Sequence, residues 1–322
     1  MSGSRRAMLK PATPPLARAG RPRPAAPRDR LTVGLLNNMP DAALAATDRQ
    51  FSALLGREVR LLRFHLPEIA RGPEARDMLA PLSAPADALE GAGLDALIVT
   101  GCEPRAADLR DEPYWPALAG VIDWARDHTV STLFSCLAAH AAVLHLDGIA
   151  RRRMARKRSG IFACRPVAAH PLLAGMPAVL PVPHSRWNDL AEADLAASGY
   201  HVLTRSDEAG VDLFVKPERS LLVFLQGHPE YDPDSLAREY RRDLKRFGRG
   251  ERAEPPDRPV HYFDPEIEAA LDDHARGGWA GEPSCAPPAA PAWPPVAAQL
   301  FRNWLSLVAT RRGARAGAAA AP

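Results

Sequence analysis

The sequence predicts an α/β fold in which a mostly parallel central sheet carries helices on both faces and has a small antiparallel extension. Three observations lead there. Leu31–Leu36, Leu94–Thr100 and Val130–Phe134 are short apolar runs, rich in β-branched residues, of the kind that form buried strands. A stretch at helical period comes after each of them, and strand-helix alternation three times over argues for a parallel sheet covered on both sides. Later, Val179–Val182, His201–Thr204 and Val211–Val215 are brief strand signals separated by turn residues, which suits an antiparallel extension leading to a strand at Leu221–Leu225.

Taken in order, residues 1–30 are rich in Pro, Ala and Arg without periodicity and read as a disordered arm. The Leu31 strand runs into Asn37-Asn38-Met39-Pro40, and a helix follows with Phe51, Leu54 and Leu55 on its apolar face. Glu58–Phe64 is a strand whose alternating charges mark it as less buried, and residues 66–90 read as a long, Pro-rich surface loop. The Leu94 strand ends at Gly101-Cys102-Glu103-Pro104-Arg105, a carboxyl-end turn of the sort where ligands gather in open α/β sheets. Glu112–Arg126 is an amphipathic helix carrying Trp115, Leu118, Val121, Ile122 and Trp124.

Arg151–Arg158, RRRMARKR, is the densest charge cluster. It reads either as a solvated face or nucleic-acid patch, or as a surface that meets a phosphorylated cofactor or an anionic substrate. Asp232-Pro233-Asp234 supplies an N-cap and a proline at the first helical position for a helix through Leu236, Tyr240, Leu244 and Phe247. Residues 248–295 are mostly loop with a helical piece near 265–275, residues 296–308 are a helix that packs back, and 309–322 read as a disordered tail. Residues 31–308 are thus expected to form one domain.

Composition bounds the function. A net charge of +3 in 322 residues is too small to argue for nucleic acid, and no apolar run approaches the roughly 20 residues of a membrane span. Cys102, Cys136, Cys164 and Cys285 have neither metal-ligand spacing nor disulfide-scaffold density, so no metal is expected and a reducing cytoplasm is. The N-terminus lacks the apolar core of a signal peptide.

Cys136 stands out because it lies between the Val130 strand and a small-faced helix closed by Gly148. A strand-turn-helix with a nucleophile at its turn presents the sulfur beside backbone N–H groups that can hold an oxyanion. Leu137 N–H is one such donor, and the second is not identifiable. The elbow lacks the flanking glycines of tight ones, since Ser135 and Leu137 occupy those places, and a buried structural thiol is the alternative. The Leu221 strand ends in Gln226-Gly227-His228-Pro229-Glu230, so His228 and Glu230 leave a strand end two residues apart. A histidine to take the thiol proton and a carboxylate to fix the imidazole complete a Cys-His-Glu triad.

NNMP, ALIVTG, DEPYW, STLFSC, RKRSG, VPHSR, FLQGHPEYD and LFRNWL occur in that order between roughly Leu31 and Val308, and together they resemble the homoserine O-acyltransferase family of methionine biosynthesis. The resemblance implies a class I glutamine amidotransferase-like, flavodoxin-like fold and transfer of succinyl or acetyl from a coenzyme A thioester. On it, Cys136 matches the acylated nucleophile, His228 the base and Glu230 its orienting partner. Lys157 matches a pocket lysine, Ser185 a serine near the reacting centre, Arg186 an arginine beside the substrate, and Arg242 the arginine for the acceptor carboxylate.

The chain departs from the family pattern twice. Asp41 and Ala42 stand where a lysine commonly follows the N-x-M-P turn, and TGCEPR replaces TGAP, with Arg105 at a place that tunes acyl choice. A guanidinium can grip a carboxylate with two parallel hydrogen bonds, so Arg105 points to the succinyl donor unless it faces solvent or pairs with Glu103 or Asp108. The implied activity is succinyl transfer from succinyl-CoA to L-homoserine, with no bound cofactor, acyl-CoA as co-substrate, small-molecule substrates and no nucleic-acid or membrane partner. A homodimer is left open. The competing readings are an acetyl donor or another hydroxy amino acid acceptor, a glutamine amidotransferase-like hydrolase, and a non-catalytic ligand-binding homologue.

Overall fold

Apolar runs of four to six residues are too short for helices and become the strands of an eight-stranded sheet. The computed structural model describes residues 30–277 and 283–320; the expected arm at residues 1–30 lies, apart from Arg30, outside the described residues. In chain order the elements are β1 (Thr32–Leu36), α1 (Asp41–Leu55), β2 (Arg60–His65), α2 (Pro73–Leu79), β3 (Ser83–Pro85), β4 (Ala96–Val99), α3 (Trp115–His128), β5 (Ser131–Ser135), α4 (Leu137–Asp147) and β6 (Arg152–Pro166). They continue with β7 (Leu180–Asp189), α5 (Glu192–Ala197), β8 (His201–Val202), β9 (Thr204–Ser206), β10 (Gly210–Val211), β11 (Leu213–Pro217), β12 (Leu221–Leu225), α6 (Ser235–Gly248), α7 (Pro265–Arg276) and α8 (Trp293–Ala320).

The main sheet runs β3-β2-β1-β4-β5-β12-β11-β8. Six of its strands are parallel, and β11 and β8 add the antiparallel edge. Period-two alternation divides the strand side chains between two cores. Leu97, Val99, Phe134 and Phe224 face α3 and α4, whereas Val33, Ile98, Leu133 and Leu225 face α1 and α8. Both faces are therefore covered, as the apolar runs required.

The second sheet, β10-β9-β6-β7, is antiparallel. Its long strand β6 begins inside the arginine cluster, which composition alone presents as a charged surface. Pairing explains the difference, since β6 lies along β7 from Arg152↔Asp189 to Cys164↔Leu180 with a register shift between Arg153 and Arg158. The strand signals of the expected extension are divided between the sheets. β7, β9 and β10 join the second, and β8 and β11 join the edge of the first.

Two segments differ from expectation. Residues 66–90 hold α2, β3 and a short 3₁₀ turn, because Ala75 and Leu79 bury against Leu44 of α1. Residues 309–320, expected as a tail, continue α8. Alanine and arginine favour helix there, and the turns are tied down by Arg312 on Asp95 at 3.2 Å and Arg315 on the Thr129 carbonyl at 2.8 Å. No helix among the described residues is long and apolar enough to cross a membrane.

α8 supports β5 from below. Trp304 is 1% exposed, packs edge-on to Phe301 and donates from its indole N–H to Ser131 Oγ at 3.0 Å. Trp304→Ala should destabilise the fold by about 3–5 kcal/mol, the usual cost of emptying a buried aromatic site, as read by chemical denaturation.

Candidate active site

Cys136 is the single residue between β5 and α4, and its backbone is strained, with φ 51° and ψ −111°. A left-handed conformation costs a side-chain-bearing residue about 1–3 kcal/mol. Among the described residues, His261 is the one other non-glycine at positive φ. The elbow is held by its own N–H, which donates to the Leu225 carbonyl at 2.7 Å, and by Ala139 N–H on the Cys136 carbonyl at 2.9 Å. Leu225 is the last residue of β12, so the same bond ties the nucleophile to the strand that delivers the histidine.

His228 is buried, and its Nδ1 lies 2.8 Å from Glu230 Oε1. Its ring stacks on Tyr231 with centroids 4.3 Å apart, and its N–H donates to the Pro183 carbonyl at 2.7 Å. Burial alone would pull the imidazole down, but Cys136 and Glu230 beside it outweigh that and hold it well above its usual value. The structure thus brings Cys136, His228 and Glu230 together on one wall of a cavity of about 610 Å³.

The turn after β4 closes over the same spot. A Cβ built on Gly101 would lie 2.6 Å from Leu137 Cβ and 3.1 Å from Leu137 N. The backbone of Gly101 and Cys102 therefore borders the Leu137 N–H, and it is the neighbour from which a second oxyanion donor can come. Cys102 also lines the cavity, but burial pushes its thiol up. Cys164 and Cys285 are buried elsewhere.

The opposite wall is built by β6, β7 and α6. Glu239 accepts from Lys157 Nζ at 3.0 Å, from Tyr231 Oη at 2.6 Å and from Ser185 Oγ. Burial pushes its carboxyl up, but Lys157, Ser185 and Tyr231 prevail and hold it down at about 2. Arg242 lies almost one turn along α6 and is half-exposed to the cavity, with Asp243 at 3.0 Å. Neither Glu239 nor Tyr231 stands out from the sequence by itself. A signal was present, since Glu239 is three residues before Arg242 on one helix face and Tyr231 follows Glu230 directly.

Two expected substrate residues are placed differently. Arg186 lines the cavity but is 4% exposed, and its donors are taken by the Asn188 carbonyl at 2.6 Å, Asp189 at 2.9 Å, His184 Nδ1 at 3.3 Å and the Ala209 carbonyl. It ties the end of β7 to the turn before β10. Arg105 is exposed and does not line the cavity. Glu112, buried beneath the turn, accepts from the Arg105 and Ala106 N–H groups and directs the arginine outward.

Below His228, Cys164, His184 and Asp212 converge within 4.8 Å, all buried. Arg186 Nε donates into His184 Nδ1, so the neutral imidazole carries its proton on Nε2, facing Asp212 Oδ1 at 3.4 Å. In that tautomer Nε2 points its hydrogen at Asp212 and offers no lone pair. Asp212 instead accepts from Gly227 N–H at 3.2 Å and from Thr204 Oγ1 at 2.9 Å, which braces the turn that carries His228.

Residues 23–313 match the profile of the family described as Homoserine O-succinyltransferase. A protein of that name from Methylorubrum extorquens is 58% identical over 292 residues, covering 88% of each chain. Another from Bradyrhizobium japonicum is 49% identical over 311 residues, covering 92% of this chain and 96% of its own. Among solved structures, a Thermoplasma acidophilum protein described as part of a GMP synthase superposes with a TM-score of 0.51 at 14% identity, over 89% of this chain and 98% of that one. That likeness shows a shared α/β fold.

The Glu239 network has a pH signature. The folded carboxyl titrates below its ordinary value of 4.5, so its stabilisation is complete above that value and is lost as pH falls toward about 2. Glu239→Gln should flatten this acid limb when melting temperature is followed between about pH 5 and pH 2, while other carboxylates keep theirs.

Proposed function

The chain belongs to the homoserine O-succinyltransferase family, and on that premise we propose that it transfers the succinyl group of succinyl-CoA to the hydroxyl of L-homoserine, a step of methionine biosynthesis, through an acyl-enzyme on Cys136. The observation that carries the reading is the cavity itself. The Cys136–His228–Glu230 set opens onto a space whose far wall presents a carboxylate, Glu239, and a guanidinium, Arg242. A zwitterionic amino acid needs that pair of charges, with its ammonium toward Glu239 and its carboxylate on Arg242.

In the first half-reaction His228 takes the Cys136 proton and the sulfur attacks the thioester carbonyl. The negative oxygen is held by Leu137 N–H and a donor from the Gly101–Cys102 turn. The tetrahedral intermediate collapses, the CoA thiolate leaves and takes the proton from His228, and succinyl remains on sulfur. In the second, His228 takes the proton of the homoserine hydroxyl, whose oxygen attacks the acyl carbon. Collapse expels the Cys136 thiolate, which recovers the proton. Tyr231, stacked on the imidazole and bonded to Glu239, keeps the ring facing the sulfur through both steps.

The arginine cluster supports a CoA donor. Arg153 sits 4.2 Å over the Trp187 ring and lines the cavity, as do Arg246 and Arg252. Arg246 is two turns beyond Glu239 on α6, about 10 Å along the axis, so positive charge gathers away from the sulfur, where the CoA phosphates would lie.

Incubation with succinyl-CoA followed by intact mass should show one succinyl group, absent from Cys136→Ala. Retention of the adduct in that variant, or glutamine hydrolysis without acylation, would sink the proposal. Gly101→Ala should slow acylation on the order of a hundredfold, because the new Cβ crowds the oxyanion site. Arg242→Ala should raise the homoserine KM by about tenfold to a hundredfold and leave the acylation rate unchanged.

A further inference from the structure

The cavity contains a cation whose hydrogen-bonding capacity is incomplete. Arg151 follows the loop after α4 and lines the cavity, as do Cys102 and Leu137. Its Nη2 is fixed on the carbonyls of Ala106 at 3.3 Å and Ala107 at 3.1 Å. Its Nη1 is fully buried and has no partner. Buried donors without partners are rare, and each calls for a ligand or a water.

A second buried polar group lies nearby. The Tyr114 hydroxyl is fully buried beside the Cys102 thiol, at a recess that shares Gly101, Cys102 and Leu137 with the main cavity. Tyr114 and Arg151 sense each other's charge, and burial pulls the guanidinium down, offset in part by Tyr114 and Glu112. The nearby carboxylates are engaged elsewhere. Glu112 accepts the Arg105 and Ala106 N–H groups, and Asp108 is held by Arg110 at 3.0 Å.

We propose that Arg151 Nη1, with the Tyr114 hydroxyl, binds the free carboxylate of the succinyl group and thereby selects a dicarboxylic acyl donor over acetyl. This rests on the acyl-transfer reading above and moves the expected role of Arg105 to a residue on the cavity wall. The acyl carbonyl sits at Cys136, and the chain runs past Cys102 to the guanidinium. Acetyl would leave Arg151 Nη1 unsatisfied.

The test is acylation of Cys136 measured by intact mass against donor concentration, with succinyl-CoA and acetyl-CoA in parallel. Arg151→Ala should raise half-saturation by succinyl-CoA about tenfold to a hundredfold, the effect of one lost charge-assisted pair, and leave acetyl-CoA unchanged. Arg151→Lys should recover part of the loss. Tyr114→Phe, which keeps the packing, should weaken succinyl-CoA alone by a few-fold, and Arg105→Ala should affect neither donor. Equal losses with both donors in Arg151→Ala and Tyr114→Phe would overturn the assignment, as would undiminished succinyl preference in Arg151→Ala. A wild type acylated by neither donor overturns instead the acyl-transfer reading.

Discussion

The parallel pairing of β5 with β12 is the constraint on which the site depends. Ser135 stands opposite Leu225, so the chain leaves the two strands side by side, once into Cys136 and once into Gln226-Gly227-His228. Residues distant in sequence become neighbours because two apolar strands share a register. A slip by one residue would turn every side chain of β12 to the other face and exchange the cores of α3–α4 and α1–α8. Burial on both faces thus fixes which strand ends lie side by side, and with them the placement of Cys136 and His228.

That frame leaves the elbow strained and the imidazole desolvated, and the surroundings offset both. The left-handed backbone at Cys136 is held by the Leu225 carbonyl. The His228 turn is held by Pro183 and by Asp212 through Gly227, where a Cβ would approach Val182 to 2.5 Å. These bonds come from β7 and from the residue between β10 and β11, so the second sheet is a brace as well as a wall. Its Lys157 and Ser185 then meet Glu239 of α6, and Glu239 returns to the imidazole through Tyr231. Glu239 and the His228–Glu230 pair are thus joined through the hydrogen bond and the ring stack of Tyr231, so damage to one half should be felt in the other.

The strands were legible because their burial is two-sided, which leaves uninterrupted runs such as Leu97-Ile98-Val99 and Leu222-Val223-Phe224. Cys136, His228 and Glu230 were legible because each sits at the end of such a run. β6 was not, since a strand that alternates between solvent and a polar cavity places Arg152, Arg156 and Lys157 in a sequence no apolar period marks. Arg186 and Arg105 show a different limit. A motif gives the residue type, but orientation is set by partners elsewhere in the chain, the Ala209 carbonyl for one and buried Glu112 for the other. Orphaned donors such as Arg151 Nη1 are invisible to pattern, because they are defined by what fails to surround them.

A Cys-His-Glu set on this fold can release its acyl group to water or to another nucleophile, and the triad geometry does not choose between them. The choice lies in how long the acyl-sulfur bond waits and what reaches it first. An alcohol beats water only if it is held at the carbonyl, where orientation substitutes for concentration. Under the proposed reading the Glu239–Arg242 wall would supply that hold for an amino acid, with its two charges within one turn of a single helix. An acceptor whose charges sat there would place its side-chain hydroxyl toward Cys136 and His228. On that reading, transfer to an alcohol rather than to water requires no change in the reacting atoms. It requires a helix that carries the receptor, and strands β6 and β7 that hold it against the base.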